Sequence, residues 1–287
     1  MDKETETNKE NNTLLIIKAS GEKEAFDNSK LKRSLLNAGA EEEIADEIVE
    51  DIESWIVPGI STKKIYSRAF QLLSRKKTYA AIYYRLKQAI NEIGPSGYPF
   101  ETFIGKIFEK QGYSVEVGQV LEGLCITHEM DVIATNKDTQ HLVECKYRMG
   151  TEKHINIQIP LYVRARIDDI VKKRKLDPQY NKLKFEGWVV TNTRFSPDCI
   201  EYSKCSGLHL LGWDFPYGKG LKDIIEKEKL FPLTVLKQLL KKEKQQLLDQ
   251  GFVLCSEILE KPEILNSFEL SKTKQKALMN ELKEICY

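Results

Sequence analysis

The stretch "GPSGYP", residues 94–99, puts two glycines and two prolines into six positions. Proline fixes φ and removes a donor, and glycine weakens regular structure, so no continuous helix or strand crosses it. The chain is therefore read as two segments with different periodicities. On the N-terminal side "LLIIKASGEKEAF" reads as strand, turn at Gly21 and short strand. "SKLKRSLLNAG" follows as a helix with Asp27 and Ser29 as candidate caps and Gly39 as a stop. "EEEIADEIVEDIESWI" carries Ile44, Ile48, Ile52 and Trp55 at helical spacing and ends at Pro58-Gly59. "STKKIYSRAFQLLSR" begins with hydroxyl caps, and "TYAAIYYRLKQAINEI" aligns Tyr79, Ile82, Tyr83, Leu86, Ile90 and Ile93. This is a small sheet edge with about four short helices.

On the C-terminal side the order becomes α-β-β-β-α-β-α-β, an α/β layered arrangement. "FETFIGKIFEKQG" turns Phe100, Phe103, Ile104, Ile107 and Phe108 inward, and "YSVEV" is a strand. "EMDVIATN" and "QHLVECKYR" form a hairpin across "KD". A helix starts near Gln158, then a strand "FEGWVVTN", a short helix after Ser196-Pro197 and a strand "LHLLGW". From Phe215 the chain is helical again, with "LTVLKQLLKKEKQQLLDQG" read as one of its helices. The expected fold class is multi-domain α/β: a disordered tail over 1–13, a first domain over 14–94, a linker over 95–99, an α/β core over 100–214 and a helical domain over 215–287.

Bulk properties narrow the partners. The 287 residues carry a formal charge of +1, so no global basic field announces a nucleic acid or a membrane. The polar start is no signal peptide, and no apolar run reaches membrane-spanning length. Cysteines at 125, 145, 199, 205, 255 and 286 contain no CxxC pair, and the four histidines show no ligand spacing. That pattern argues against zinc or a disulfide framework and fits a reducing cytoplasm.

The stretch "DVIATNKDTQHLVECKYR" sets Asp131, Glu144 and Lys146 in an apolar hairpin, where an unpaired charge is costly. Strand alternation puts Glu144 and Lys146 on one face, with Val143, Cys145 and Tyr147 on the other. Asp131 and Glu144 on consecutive strands can reach one ion, and hard oxygens suit Mg²⁺ or Mn²⁺ completed by water and phosphate. A lysine beside them can orient the attacking water or stabilise charge on the phosphorane. Taken alone, the same three residues also fit a solvated surface ion pair.

In context, residues 100–214 resemble the Mrr-type branch of the PD-(D/E)xK restriction-endonuclease-like superfamily. The matching residues are Glu101 in "YPFETF", Asp131 in "THEMDVIA", Glu144 and Lys146 in "VECKYR", and Gln158 with Tyr162 in "QIPLY". The resemblance implies that Asp131, Glu144 and Lys146 form a metal-dependent nuclease site, with Asp131 and Glu144 as ligands. Glu101 and Gln158 are implied in support, holding metal-bound water or phosphate. Met130 stands where the family has proline. Glu129 is assigned to the face opposite the catalytic row and left out.

Residues 14–94 resemble an ATP-cone through "IIKASGEKEAFDNSKLKRSLLNAG", "GISTKKIY" and "YAAIYYRLKQAI". That resemblance implies a regulatory site for ATP or dATP using Lys18, Lys30, Thr62 and Arg85. Ala19 departs from the family's Lys-Arg pair. No GxxxxGK[ST] loop is present to support hydrolysis. The tail faintly resembles helix-hairpin-helix units around "LDQGFV", which bind the DNA backbone through hairpin amides. The basic runs "VKKRKLDPQYNKLK" and "LKKEKQ" are candidate phosphate contacts or ordinary solvated helix faces.

Together these features lead to the expectation of a nucleotide-regulated, Mg²⁺-dependent DNA endonuclease, cytoplasmic and acting as a dimer or higher oligomer. A nucleotide-sensing DNA-binding regulator without essential catalysis and a structure-selective junction resolvase remain the alternatives.

Overall fold

The computed structural model of the chain describes residues 14–18, 21–76, 78–94, 96–149 and 154–287, the side chains of 78–80 excepted. The tail over 1–13, Ala19 and the Tyr79 side chain lie outside the described residues. The chain divides into two compact units, one ending at Arg85 and the other starting at Leu86.

In the first unit β1 (Leu15–Ile17) pairs antiparallel with β2 (Lys23–Ala25), with Gly21 at φ 87° in the turn. The Ile17 N–H donates to the Ile60 carbonyl at 2.9 Å, stitching the hairpin to the loop between the second and third helices. Helix α1 (Asn28–Asn37) is capped by the Asp27 carboxylate, which accepts from the N–H groups of Ser29 and Lys30 at 2.9 and 3.2 Å. Of the two candidate caps, Asp27 serves and Ser29 is helical. Helices α2 (Glu42–Trp55) and α3 (Thr62–Lys76) follow, then α4 (Thr78–Asn91), which carries the divide between the units. Leu35, Ile48, Ile52, Ile65, Ala69 and Leu73 form the centre of the first core. The helical spacing read from sequence therefore does point one stripe of each helix inward.

The second unit opens with α5 (Tyr98–Lys110). Its sheet runs β3 (Ser114–Glu122), β4 (Thr127–Thr135), β5 (Thr139–Lys146), β6 (Lys184–Thr191), β7 (Leu208–Leu211) in spatial order. The first three strands are antiparallel, and β5, β6 and β7 are parallel, as the helical crossovers require. Helix α5 covers one face, where Phe108 meets His141 and Trp188. At Gly105 an added Cβ would lie 3.1 Å from Val115 and 3.2 Å from Val117, which explains the glycine. Helix α6 (Gln158–Arg174) covers the other face, burying Val163, Ile167 and Ile170 with Ile133, Leu142 and Val189. Helix α7 (Pro197–Ser206) is capped by Ser196 and leads into β7. The mixed α/β class and the strand–helix order agree with the sequence.

Two expectations about segment boundaries are corrected. The stretch over 94–99 does not separate domains: it joins α4 to α5 inside the second unit. The end of α4 is held there, because the Asn91 carbonyl accepts from the Tyr147 hydroxyl at 2.5 Å and Asn91 Oδ1 from Asn192 at 2.8 Å. The Ala89 carbonyl likewise accepts from the Thr234 hydroxyl at 2.7 Å.

The second correction concerns the tail. After α8 (Leu221–Glu228), the expected long helix over 233–251 is broken into a 3₁₀ turn, Leu233–Val235, an extended piece and α9 (Lys241–Asp249). Residues 230–236 are buried on every side, a pattern no amphipathic helix has. The N–H groups of Lys237 and Gln238 donate instead to the buried Glu281 carboxylate, at 2.8 and 3.2 Å. Helices α10 (Cys255–Glu260) and α11 (Lys272–Cys286) complete the tail.

Phe103 is fully buried in α5 against the sheet. Phe103→Ala should lower the unfolding free energy of the full chain by about 3–5 kcal/mol, read from urea denaturation. A loss below about 1 kcal/mol would mean that α5 is not part of the core.

Candidate functional site

Strands β4 and β5 stay in register from Thr135–Gln140 to Val132–Val143 and stop there. One step further Asp131 and Glu144 would face each other. Instead the Cys145 N–H donates to Asp131 Oδ2 at 2.6 Å, so a side chain replaces the ladder where the strands part. β5 continues on its other side against β6, with Lys146 opposite Thr191 and the Thr191 hydroxyl donating to the Lys146 carbonyl at 2.6 Å. The parting of β4 from a still anchored β5 creates the notch that holds the carboxylates.

Glu144 is almost completely desolvated, its side chain 3% exposed, and three groups from two elements compensate it. Lys146 donates to Oε1 from the same strand. From α6 the Tyr162 hydroxyl donates to Oε1 at 2.9 Å and Arg166 Nη1 donates to Oε2 at 2.6 Å. Tyr162 and Arg166 are one helical turn apart, and the guanidinium carbon lies 5.1 Å from the centre of the Tyr162 ring.

Around this pair the charges crowd. Burial, then the charges of Asp131, Glu129 and Glu144, push Glu101 up to about 7. Burial, then Glu144, push Asp131 up to about 6. Burial works against the charge of Lys146, but its bond to Glu144 outweighs this and raises its pKa. Burial is the larger cause for both carboxylates, and Lys146 and Arg166 only partly offset it at Asp131.

Asp131, Glu144, Lys146 and Glu101 are thus brought into one electrostatic cluster. Gln158 is exposed at the first position of α6, and the described partners of Glu144 are Lys146, Tyr162 and Arg166 rather than Gln158. Glu129, left out of the site from sequence, is exposed, and its charge acts on Glu101. Arg166 was not singled out from sequence. Its i+4 spacing from Tyr162 was the available signal, though such arginines are common on exposed helix faces.

The basic stretch after α6 does not border this notch. α6 runs back along the sheet, so that Arg174 donates to Gln140 at the start of β5. The Lys184 N–H bonds the Asp138 carbonyl at 2.8 Å at the same end. Arg174 and Lys184 of "VKKRKLDPQYNKLK" therefore lie at the end of the sheet away from Lys146, while Lys173 pairs with Glu122 at 3.6 Å. Nor does "LDQGFV" offer hairpin amides. The N–H groups of Gly251 and Phe252 bond back to α9, those of Val253 and Leu254 donate to Glu257 at 2.8 Å each, and that of Cys255 donates to Phe231.

In the first unit a cleft of about 240 Å³ is lined by Lys18, Glu24, Lys30, Thr62, Tyr66 and Tyr84. Lys18, Lys30 and Thr62 thus converge as the sequence expectation requires. Arg85 is not among the lining residues and lies over the Phe70 ring, 5.7 Å from its centre. The two tyrosines stack with centroids 4.6 Å apart and were not singled out from sequence as site residues. Glu24 pairs with Lys18 and, at 2.5 Å, with Lys30, and those bonds bring its carboxyl down to about 2.

Comparison with known proteins agrees with the sequence reading of the first unit. Residues 14–89 match the family model described as "ATP cone domain", and residues 231–286 match "AF1548-like, C-terminal". An "Uncharacterized protein" of Archaeoglobus fulgidus is 26% identical over 183 residues, covering 63% of this chain and 99% of that protein. The solved structure titled "Crystal Structure of Protein of Unknown Function AF1548" superposes with a TM-score of 0.55 at 25% identity, covering 67% of this chain and 98% of its own.

Two outcomes are expected of the nucleotide cleft. If ATP occupies this cleft with its phosphates at Lys30, Lys30→Ala should weaken ATP binding about tenfold or more in calorimetry. Glu24 has a folded pKa below its ordinary value of 4.5, so its stabilising pairs are in full force above that pH. They are lost as the pH falls through about 2, and an NMR titration of the Glu24 carboxyl should place its midpoint there. A midpoint near 4.5 would mean that the pairs with Lys18 and Lys30 do not form in solution. Residues 14–89 are an ATP cone domain, a nucleotide-binding regulatory module, and the chain ends in an AF1548-like C-terminal domain.

Proposed function

We propose that this chain is a nucleotide-regulated, divalent-metal-dependent DNA endonuclease. The observation that carries the reading is the cluster of three carboxylates, Glu101, Asp131 and Glu144, beside Lys146 at the point where β4 leaves β5. Burial and mutual repulsion lift Glu101 and Asp131, which an ion between the carboxylates would offset. Their oxygens fit Mg²⁺ or Mn²⁺ held by one or two carboxylates, with water and phosphate in the remaining positions. Among the described residues no three His, Cys, Asp or Glu side chains are placed to hold a metal ion together.

In this reading Asp131 and Glu144 would hold the ion, whose chemistry is to polarise the phosphoryl oxygen and supply hydroxide near neutral pH. The Cys145 amide fixes Asp131, and β6 fixes the backbone of Lys146, so both are pre-positioned before substrate arrives. Lys146 orients the attacking water or stabilises charge on the phosphorane. Glu101 supports the ion or its waters, and Gln158 reaches water or phosphate from the first turn of α6. ATP or dATP in the first unit biases access or assembly, which requires different affinities in the two states. Cutting both strands of a duplex calls for two sites, hence a dimer or higher oligomer.

The resolvase alternative shares the same catalytic strands, and only substrate tests separate it from the endonuclease. The regulator alternative keeps one observation in its favour: Glu144 is engaged by Lys146, Tyr162 and Arg166.

The test is cleavage of plasmid and linear duplex DNA with Mg²⁺ or Mn²⁺, with and without ATP and dATP, for wild type and Lys146→Ala. Metal-dependent cutting is expected, reduced at least about a hundredfold in the variant, with a rate that responds to nucleotide. DNA binding without cutting under every condition would transfer the assignment to the regulator.

A further inference from the structure

Arg166 already occupies one carboxylate oxygen of Glu144. Its Nη1 donates to Glu144 Oε2 at 2.6 Å, while Oε1 is shared by Lys146 and Tyr162. Both carboxylate oxygens are thus already engaged. The arginine side chain is itself 15% exposed and is braced by the Tyr162 ring and hydroxyl. This is a built ion pair rather than a surface contact.

We propose that Arg166 is an internal competitor of the metal: the guanidinium and a divalent ion are alternative partners of Glu144 Oε2, and loading of the ion displaces Arg166. The inference rests on the nuclease reading above and adds a positioning residue that sets how readily the site takes metal.

The physical basis is charge. Glu144 is too desolvated to stand without positive charge beside it. In the metal-free protein Arg166 supplies that charge, which keeps the notch formed. An arriving ion replaces one charge-assisted hydrogen bond and must release a largely buried arginine side chain to water. That release opposes binding, so the site favours the ion least when nothing else is present to receive Arg166. α6 is anchored below the site by Val163, Ile167 and Ile170, so displacement is a rotation of the side chain and not of the helix. The freed guanidinium, one turn from Tyr162, is then available to an anionic oxygen. Its planar fork suits a phosphate, which couples metal loading to substrate.

The experiment measures Mn²⁺ binding to the full chain without DNA, by electron paramagnetic resonance or calorimetry, for wild type, Arg166→Gln, Arg166→Lys and Glu144→Gln. Arg166→Gln should bind Mn²⁺ about tenfold more tightly than wild type, and Glu144→Gln should abolish binding. Arg166→Lys, still cationic, should remain near wild type. Thermal unfolding with and without Mn²⁺ guards against loss of fold: Arg166→Gln should be less stable alone and gain more from the ion.

Mn²⁺ affinity unchanged or weakened in a folded Arg166→Gln, with Glu144 still required, would overturn the competition and leave the nuclease reading standing. No Glu144-dependent Mn²⁺ binding in either wild type or Arg166→Gln would overturn the metal reading itself.

Discussion

The candidate site of the second unit depends on compensating the Glu144 carboxylate, which is almost completely out of water. Desolvation of a carboxylate costs several kcal/mol unless charge and hydrogen bonds replace the lost hydration. Three elements are arranged to do so. β5 supplies Lys146 two residues on, α6 supplies Tyr162 and Arg166 one turn apart, and β6 holds β5 straight so that the lysine keeps its direction. The apolar seam of α6 against Leu142 and Val189 fixes the helix at the distance this requires.

The same geometry explains why Asp131 takes a backbone amide as its partner. When β4 separates from β5 the Cys145 N–H loses its ladder acceptor and would be buried unsatisfied. The carboxylate restores that bond and is thereby aimed into the notch. One local break in strand pairing thus satisfies a donor, positions a candidate ligand and opens space beside Glu144. Glu101, arriving from α5 on the other layer, adds negative charge to a place already rich in it. Structural economy alone does not call for a third carboxylate there.

The first unit handles charge in the opposite way. Lys18 and Lys30 are gathered beside an apolar, tyrosine-walled cleft, and Glu24 neutralises them from the sheet. A polyanion entering this cleft would meet two lysines already close together, with one internal carboxylate to displace. Both candidate sites thus hold their charged groups in provisional internal pairs. That is the arrangement expected where the ligand brings a compensating charge of its own.

Much of this was legible in the chain itself. The helical stripes through Ile48 and Ile52, the Asp27 and Ser196 caps, the order of strands and the two charged residues flanking Cys145 all follow from local periodicity and chemistry, which are written in neighbouring residues. Tertiary structure alone decided the rest. It carried the end of α4 into the second unit through Asn91, because a boundary depends on where hydrogen bonds go and not on where glycine and proline cluster. It broke the expected helix after Phe231, because burial on all sides leaves no polar face to define one. It carried Arg174 to Gln140 at the start of β5, and it set Arg166 against Glu144. Those two residues are 22 positions apart, and no pattern within either segment encodes a contact that exists only once α6 has docked on the sheet.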